Sequence, residues 1–464
     1  MTVSLHPARA FSHSTRAIGD GAEPGIALAL APARTPHGLD PNPSFFSGFA
    51  THPLVLSRGL LVLSDITATR YFQYTPESMR DPVLTAHGDR LRAETFSACN
   101  GVYARLDLLG PSFDGGEIGW GATNVDLGPG SRAILAGVRR AELLHLDVGE
   151  RGLTIATTDA HELERPVQMP DRWVRALGNV AELHRRLMPR IAMNAAEARA
   201  FMAAVPPATA TGRTVWLVPE RGRVRISMRP VPGAVSVAGL HRLSAAKRLL
   251  PHLLGLTVSA PEPGSPDTGA AAIEIALPHA RFVLGLTAEP WRGHSGEGAL
   301  LTALAGEDAL ADAELVAALL AFEPRLELGR LRRESGLSEA RVDSAVAVLA
   351  ASGRVGWDIA EGAHFHRELP NDPDRVVRDH SRLVRARTLV AAGRIQPRAL
   401  PDPSDIGPGA TEWVLRGATP SEDSVVRRTG AGYTCTCTWF LRHGTGRGPC
   451  AHMLAVRILT EEIS

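Results

Sequence analysis

A chain of 464 residues with 44% hydrophobic content is long enough for two to four domains with substantial cores. Its formal net charge of +1 excludes a chain-wide attraction to nucleic acid or to an anionic membrane surface. No run reaches the roughly eighteen apolar residues of a membrane span, the N-terminus lacks the apolar middle of a signal peptide, and four cysteines in all suit a reducing cytoplasm.

Lys247 is the one lysine; the other 49 basic residues are arginine. With abundant Ala, Gly and Pro, this is the composition bias of a high-GC bacterial genome. Arginine content alone therefore says little about nucleic acid.

Residues 1–43 are rich in Ala, Pro, Gly, Ser and His and read as a flexible arm. Residues 44–165 read as a strand-rich domain, with strands expected at Leu54–Leu56, Leu60–Leu63, Val102–Leu106 and Leu153–Ala156, and a turn at Asp114-Gly115-Gly116. Gly115, Gly116, Gly119 and Gly121 match no phosphate-loop spacing, so they read as turn glycines.

Residues 166–296 read as an α+β domain. Trp173, Leu177, Val180, Leu183 and Leu187 recur at three and four and define an apolar helix face. A second helix is expected at 195–204. Strands follow at Thr214–Val218, Val224–Met228 and Val235–Val237, then a helix at His241–Leu254 and a hairpin from Ala272–Leu277 and Phe282–Leu286.

Residues 297–370 give helices near 312–322, 328–334 and 339–352, with Ser338 as N-cap of the third. A hairpin at Val355–Asp358 and Phe365–Arg367 follows. Three helices and a hairpin resemble a winged helix-turn-helix. The third helix carries Glu339 and Asp343 against Arg341, a face that phosphates repel, so protein contact or internal packing is favoured over DNA reading.

Residues 371–410 read as a basic helix and a Pro/Asp-rich linker at Pro397–Pro408. Helical spacing puts Val376, Val377, Leu383, Val384 and Val390 on one side and Arg375, Arg378, Arg382 and Arg385 on the other. The arginine stripe is either a solvated face or a contact for an acidic partner or nucleic acid.

The last segment, 411–464, carries the chemistry. Cys435 and Cys437 form C-x-C, a Gly-rich loop of twelve residues follows, and Cys450 and His452 form C-x-H. Three thiolates and an imidazole are a complete tetrahedral zinc set. In extended backbone, residues i and i+2 face the same way, and Thr434 to Phe440 favours extension. A disulfide between Cys435 and Cys437 would close a strained ring. His443, in the loop, is an alternative fourth ligand. Four protein donors leave no open coordination position, so the metal is expected to be structural.

The ligand spacing, the Trp413–Gly417 strand, Tyr433 and the apolar helix after His452 resemble the SWIM-type zinc finger, over roughly Thr411 to Leu459. The resemblance implies DNA binding or protein binding. It also implies bacterial neighbours such as MoxR-type AAA ATPases and von Willebrand A-domain proteins.

No Walker A loop, G-x-S-x-G, H-E-x-x-H or kinase signature is present. Cys99 has no local partner and reads as core. The expectation is an α+β multidomain, non-enzymatic bacterial protein, strand-rich in its N-terminal half, with a winged-helix-like segment and a small ββα zinc finger as docking modules. The alternative is a DNA-binding regulator that uses the finger and the arginine helix.

Overall fold

The computed structural model describes residues 44–72, 82–294, 299–367, 380–398 and 410–460, apart from residues 150, 168, 170, 211, 266–267, 307, 418, 420–421, 431 and 445–446, together with four three-residue strands before residue 44. Those four strands pair as two small hairpins, Arg16–Ile18 with Gly25–Ala27 and Ala33–Thr35 with Gly38–Asp40. The fold is mixed α/β and strand-rich. The chain forms two compact units: residues 1–295, 321–326 and 356–370 in the first, and 296–320, 327–355 and 371–464 in the second.

The first unit has two halves, and each opens on a strand, a helix and three strands. The first half runs β1 (Ser44–Ala50), α1 (Pro53–Thr67), β2 (Val83–His87), β3 (Arg90–Phe96), β4 (Val102–Leu109), β5 (Phe113–Ile118), β6 (Trp120–Asn124), α2 (Pro129–Gly137), β7 (His145–Gly149), β8 (Gly152–Ala156) and β9 (His161–Glu164). Helix α3 (Asp171–Arg185) leads into the second half. That half runs β10 (Met188–Asn194), α4 (Ala195–Ala204), β11 (Thr214–Glu220), β12 (Arg223–Ser227), β13 (Val235–Ala238), a 3-10 stretch (Leu240–His252), β14 (Gly255–Ala260), β15 (Ala271–Leu277) and β16 (Ala280–Leu286).

Each half gives four strands to one eight-stranded sheet, in the order β6-β2-β3-β4-β16-β15-β14-β10. The seam is the antiparallel β4–β16 pair, with Val102 opposite Leu286 and Leu108 opposite Ala280. The remaining strands form a five-stranded sheet, β9-β8-β7-β1-β5, and a three-stranded sheet, β12-β11-β13. One apolar cluster, from Phe45 through Leu106 to Leu286, runs through both halves.

Three local expectations change. The run Leu54 to Leu63 is helix α1, not two strands. Its two apolar runs, either side of Ser57-Arg58-Gly59, are too short for a period to separate strand from buried helix; Pro53 at the first helical turn marks the helix start. Gly115 and Gly116 lie inside β5 rather than in a turn. Gly121 is required by close approach, since a Cβ there would lie 2.6 Å from the Phe45 ring.

The eight-stranded sheet has two unlike faces. Leu91, Ala93, Ala104 and Leu106 belong to the apolar cluster on one side. On the other, alternate residues Arg90, Arg92 and Glu94 of β3, Tyr103, Arg105 and Asp107 of β4 and Arg281 of β16 lie in register. This face is covered in part by α3, whose Trp173, Val174, Leu177 and Val180 cluster with Phe96 and Tyr103.

Over Arg92 and Arg105 it is covered by the hairpin of β17 (Val355–Asp358) and β18 (Ala363–His366). Asp358 bridges Arg92 and Arg105. Phe365 lies with its ring centroid 3.8 Å from the Arg92 guanidinium carbon. From Gly356 onward this hairpin belongs to the first unit. The helices expected to accompany it, α5 (Ala309–Ala317), α6 (Leu328–Ser335) and α7 (Glu339–Ala351), belong to the second. Ser338 caps α7 as expected, accepting from the Arg341 N–H. Arg341 itself is held by Asp312, with Nε and Nη2 donating at 2.7 and 2.6 Å.

Candidate metal centre

The last part of the second unit is a four-stranded antiparallel sheet, β19-β20-β21-β22, and three helices. Helix α8 (Ser381–Ala391) precedes β19 (Ile395–Arg398), β20 (Thr411–Leu415), β21 (Ser424–Thr429) and β22 (Gly432–Cys435). Two helices end it, α9 (Thr438–His443) and α10 (Ala451–Leu459). Pro397 of the expected linker is a strand residue opposite Trp413; residues 399–408 of it lie outside the described residues.

One face of this sheet is apolar. Trp413, Val426 and Cys435 are neighbours across three strands and are buried. Helix α10 packs against β21 and β22 on one side and α8 on the other, which buries Met453, Leu454, Ala455 and Val456. Cys435 ends β22 and so points into this layer, beside the start of α10.

The remaining donors come from helix starts. Cys437 is the N-cap of α9 and Cys450 the N-cap of α10, with His452 in the first turn of α10. Three backbone N–H groups donate to the sulfurs at 3.4 Å: Cys437 to Cys435, Phe440 to Cys437 and Met453 to Cys450. Donors at helix N-termini favour thiolate over thiol. Trp439 and Phe440, expected to extend β22, instead form the first turn of α9, because the Cys437 sulfur caps a helix there.

The ligand atoms of Cys435, Cys437, Cys450 and His452 all lie within 4.8 Å of one another, and the His452 Nδ1 is 3.8 Å from the Cys435 sulfur. For a metal–sulfur bond of about 2.3 Å, a tetrahedron has edges of about 3.8 Å. The group therefore fits a single ion with little rearrangement. His443 lies at the end of α9 with its ring 5.0 Å from that of Trp439, outside the donor group.

The three thiols are coupled to one another. Hydrogen bonds from Cys435 and Cys450 hold the Cys437 sulfur well below an ordinary thiol. Cys435, which gives those protons up least readily, is pushed well above. At Cys450 the hydrogen bond with Cys435 lowers the thiol, but that with Cys437, together with burial, outweighs it and pushes the thiol up to about 11. Three sulfurs this close ionise together only around a cation.

The expected arginine stripe divides. Arg375 and Arg378 lie outside the described residues. Arg385 is exposed. Arg382 turns inward: its Nη1 donates to the carbonyls of Arg447 at 2.7 Å and Pro449 at 2.8 Å, and its guanidinium carbon is 4.6 Å from the Trp439 ring centroid. The buried positions of α8 are Leu383 and Ala386, whereas Val384, expected on the apolar side, is 43% exposed. Sequence reasoning missed the inward role of Arg382, and periodicity alone holds no signal for it.

Elsewhere, Cys99 is half-buried beside the Ser97 hydroxyl at 3.5 Å. His184 is buried under the sheet. A groove of about 390 Å³ in the first unit is lined by Arg190, Trp216, Ser236, Glu262 and Thr268; no histidine or cysteine is among its described lining residues. No helix among the described residues is long and apolar enough to cross a membrane.

No protein-family model matches this sequence, and no curated protein matches it. Among solved structures, it is similar to Proliferating Cellular Nuclear Antigen from Entamoeba histolytica, at 11% identity and a TM-score of 0.36, over 53% of this chain and 99% of that chain. It is also similar to the PCNA2-PCNA3 complex from Sulfolobus tokodaii, at 9% identity and a TM-score of 0.36, over 52% of this chain and 98% of that chain.

Proposed function

We propose that this chain is a non-enzymatic bacterial zinc protein whose SWIM-type finger is a docking module for a protein partner. The observation that carries the reading is the closed donor set. Cys435, Cys437, Cys450 and His452 converge on one point, and four protein ligands leave zinc no position for water or substrate. A closed zinc site supplies folding energy and no Lewis-acid chemistry. Its product is then a surface: Leu441 on α9, 74% exposed, next to Arg442 on the outside of the finger. MoxR-type ATPases and von Willebrand A-domain proteins are the partner classes that the SWIM resemblance suggests.

A second reading has its own support. Residues 381–460 hold eleven arginines against five carboxylates in a chain that is nearly neutral overall. Arg385, Arg394 and Arg442 are exposed. That concentration suits a nucleic acid.

One experiment separates the two. Metal-loaded full-length protein is tested against candidate partner proteins and against duplex DNA over a salt series. Partner binding that is lost in Cys437→Ala, with no salt-dependent DNA binding, supports docking. DNA affinity that falls steeply with salt supports the second reading.

A further inference from the structure

The loop between the two ligand pairs is held from outside the finger. Trp439 follows Cys437 by two residues and Pro449 immediately precedes Cys450. One side chain touches both flanks: Arg382 stacks on Trp439 and donates from a single Nη1 to the carbonyls of Arg447 and Pro449. Its own helix, α8, packs along α10, the helix whose first turn carries Cys450 and His452.

These contacts bear on the donors directly. Cys437 and Cys450 each cap a helix, so their sulfur positions depend on where α9 and α10 begin. Arg382 fixes α9 through Trp439 and the entry to α10 through the two carbonyls. A planar guanidinium can stack and donate at once, which a lysine ammonium cannot do with the same geometry. Resting on the zinc reading above, we propose that Arg382 is a latch that positions the C-x-C and C-x-H pairs relative to each other and so sets how tightly the finger holds its metal.

Linkage makes the effect reciprocal. Whatever Arg382 adds to metal affinity, the metal adds to the docking of α8. The finger and α8 then respond to metal as one body. Arg382 is a positioning residue and not a ligand; it acts through two carbonyls and a ring.

The test uses the full chain, with zinc affinity read by competition with a chromophoric chelator and the donor set read from the absorption bands of the cobalt(II) form. Partners outside the first coordination sphere typically change metal affinity by about 10–100-fold. Arg382→Ala is expected to weaken zinc binding about tenfold and to leave the thiolate–cobalt bands in place. Arg382→Lys should recover part of the loss. Arg385→Ala, on the same helix but exposed, should match the parent. Amide exchange over Leu383–Ala391 should be slower with metal than without it in the parent, and the difference should shrink by about tenfold in Arg382→Ala.

Trp439→Leu removes the ring that Arg382 stacks on, together with the His443 ring contact, but keeps both carbonyl hydrogen bonds; it should shift affinity less, in the same direction, which keeps the idea testable where Arg382→Ala does not fold. Zinc affinities of both variants within twofold of the parent overturn the latch and leave the zinc reading intact. A parent protein that takes up no metal overturns both.

Discussion

Arg367 and Glu94, 273 residues apart in sequence, form a two-pronged ion pair, Nε to Oε2 at 2.7 Å and Nη2 to Oε1 at 2.8 Å, with both side chains buried. Tyr103 donates its hydroxyl to the same carboxylate at 2.5 Å. Burial alone would raise the Glu94 carboxyl, but Arg367 and these hydrogen bonds hold it below its usual value. Arg367 follows β18 directly, so the pair pins the end of the hairpin to β3.

Breaking a buried pair from one side leaves an uncompensated charge and costs about 3–5 kcal/mol. Glu94→Leu and Arg367→Met are each expected to lose that much in denaturant unfolding. The double variant should recover most of it, because two apolar side chains replace two charges. Additive losses in the double variant would contradict a charge-pair origin.

Asp358 supplies a contrast between buried and rim charges. It pairs with Arg105 at 2.9 Å and with Arg281 at 3.3 Å and bridges to Arg92, and it is fully buried. Burial would raise its carboxyl, and the three guanidinium groups instead hold it well below the ordinary range. Glu361, at the hairpin turn, meets Arg90 at 3.2 Å but is 28% exposed. Asp358→Asn should cost at least about 3 kcal/mol, and Glu361→Gln less than about 1 kcal/mol. Equal costs by chemical denaturation would remove the distinction.

Two histidines predict an acid limit on stability. His184 and His294 are fully buried, and burial, reinforced for His184 by His294, lowers each to about 3. Their unfolded value is near 6.5. As pH falls below that value the unfolded chain gains protons that the folded chain refuses, so stability is lost downward from about pH 6.5 towards 3. Each group contributes about 1.4 kcal/mol per pH unit in that window. Going from pH 6.5 to 5 should therefore remove roughly 3 kcal/mol, and His184→Gln should about halve the slope. A flat profile over that range would show that neither ring is refused a proton.

How far the sequence carries depends on the kind of signal. The donor group was readable because ligand identity and spacing are local: Cys435, Cys437, Cys450 and His452 sit within eighteen residues. Helices α4 and α7 were readable because breakers follow them, Pro206-Pro207 and Gly353, and because Ser338 caps the start of α7. Helix α1 was not, since apolar runs of three and four residues either side of Ser57-Arg58-Gly59 are too short to show a period.

The hairpin's true partner was not readable either. Arg90, Arg92 and Glu94 alternate along one strand with Leu91 and Ala93, a period-two pattern that announces a polar sheet face. Nothing local says that a segment more than 250 residues later buries it. The direction of Arg382 belongs to the same class, because its acceptors are two backbone carbonyls that any sequence would offer.

Metal should be separable by residue from the remaining cysteine chemistry. Cys437→Ala removes one of four donors and should abolish zinc retention. Cys99→Ala lies outside the donor group and should keep one zinc per chain by elemental analysis. Structural zinc in small fingers is worth roughly 10–16 kcal/mol, so Cys437→Ala should also expose the segment from Thr411 to Thr460 to protease. Full zinc occupancy in Cys437→Ala would move the metal to another donor set.

The exposed arginines decide between the two partner classes. Arg382 is already committed to carbonyls and a ring, and Arg427 to Glu412 at 2.9 Å, so neither is expected to contribute a phosphate contact. Arg385, Arg394 and Arg442 are exposed and free of a carboxylate within salt-bridge distance among the described residues. If they contact a nucleic acid, each releases about one counterion when it binds. The triple alanine variant should then lower the slope of log affinity against log salt by about 3. Its folding should hold, since exposed substitutions move stability by about 0.5 kcal/mol or less each. An unchanged salt slope in a folded, zinc-loaded triple variant would take these three arginines out of any nucleic-acid interface. A protein partner would then remain as the occupant of the finger.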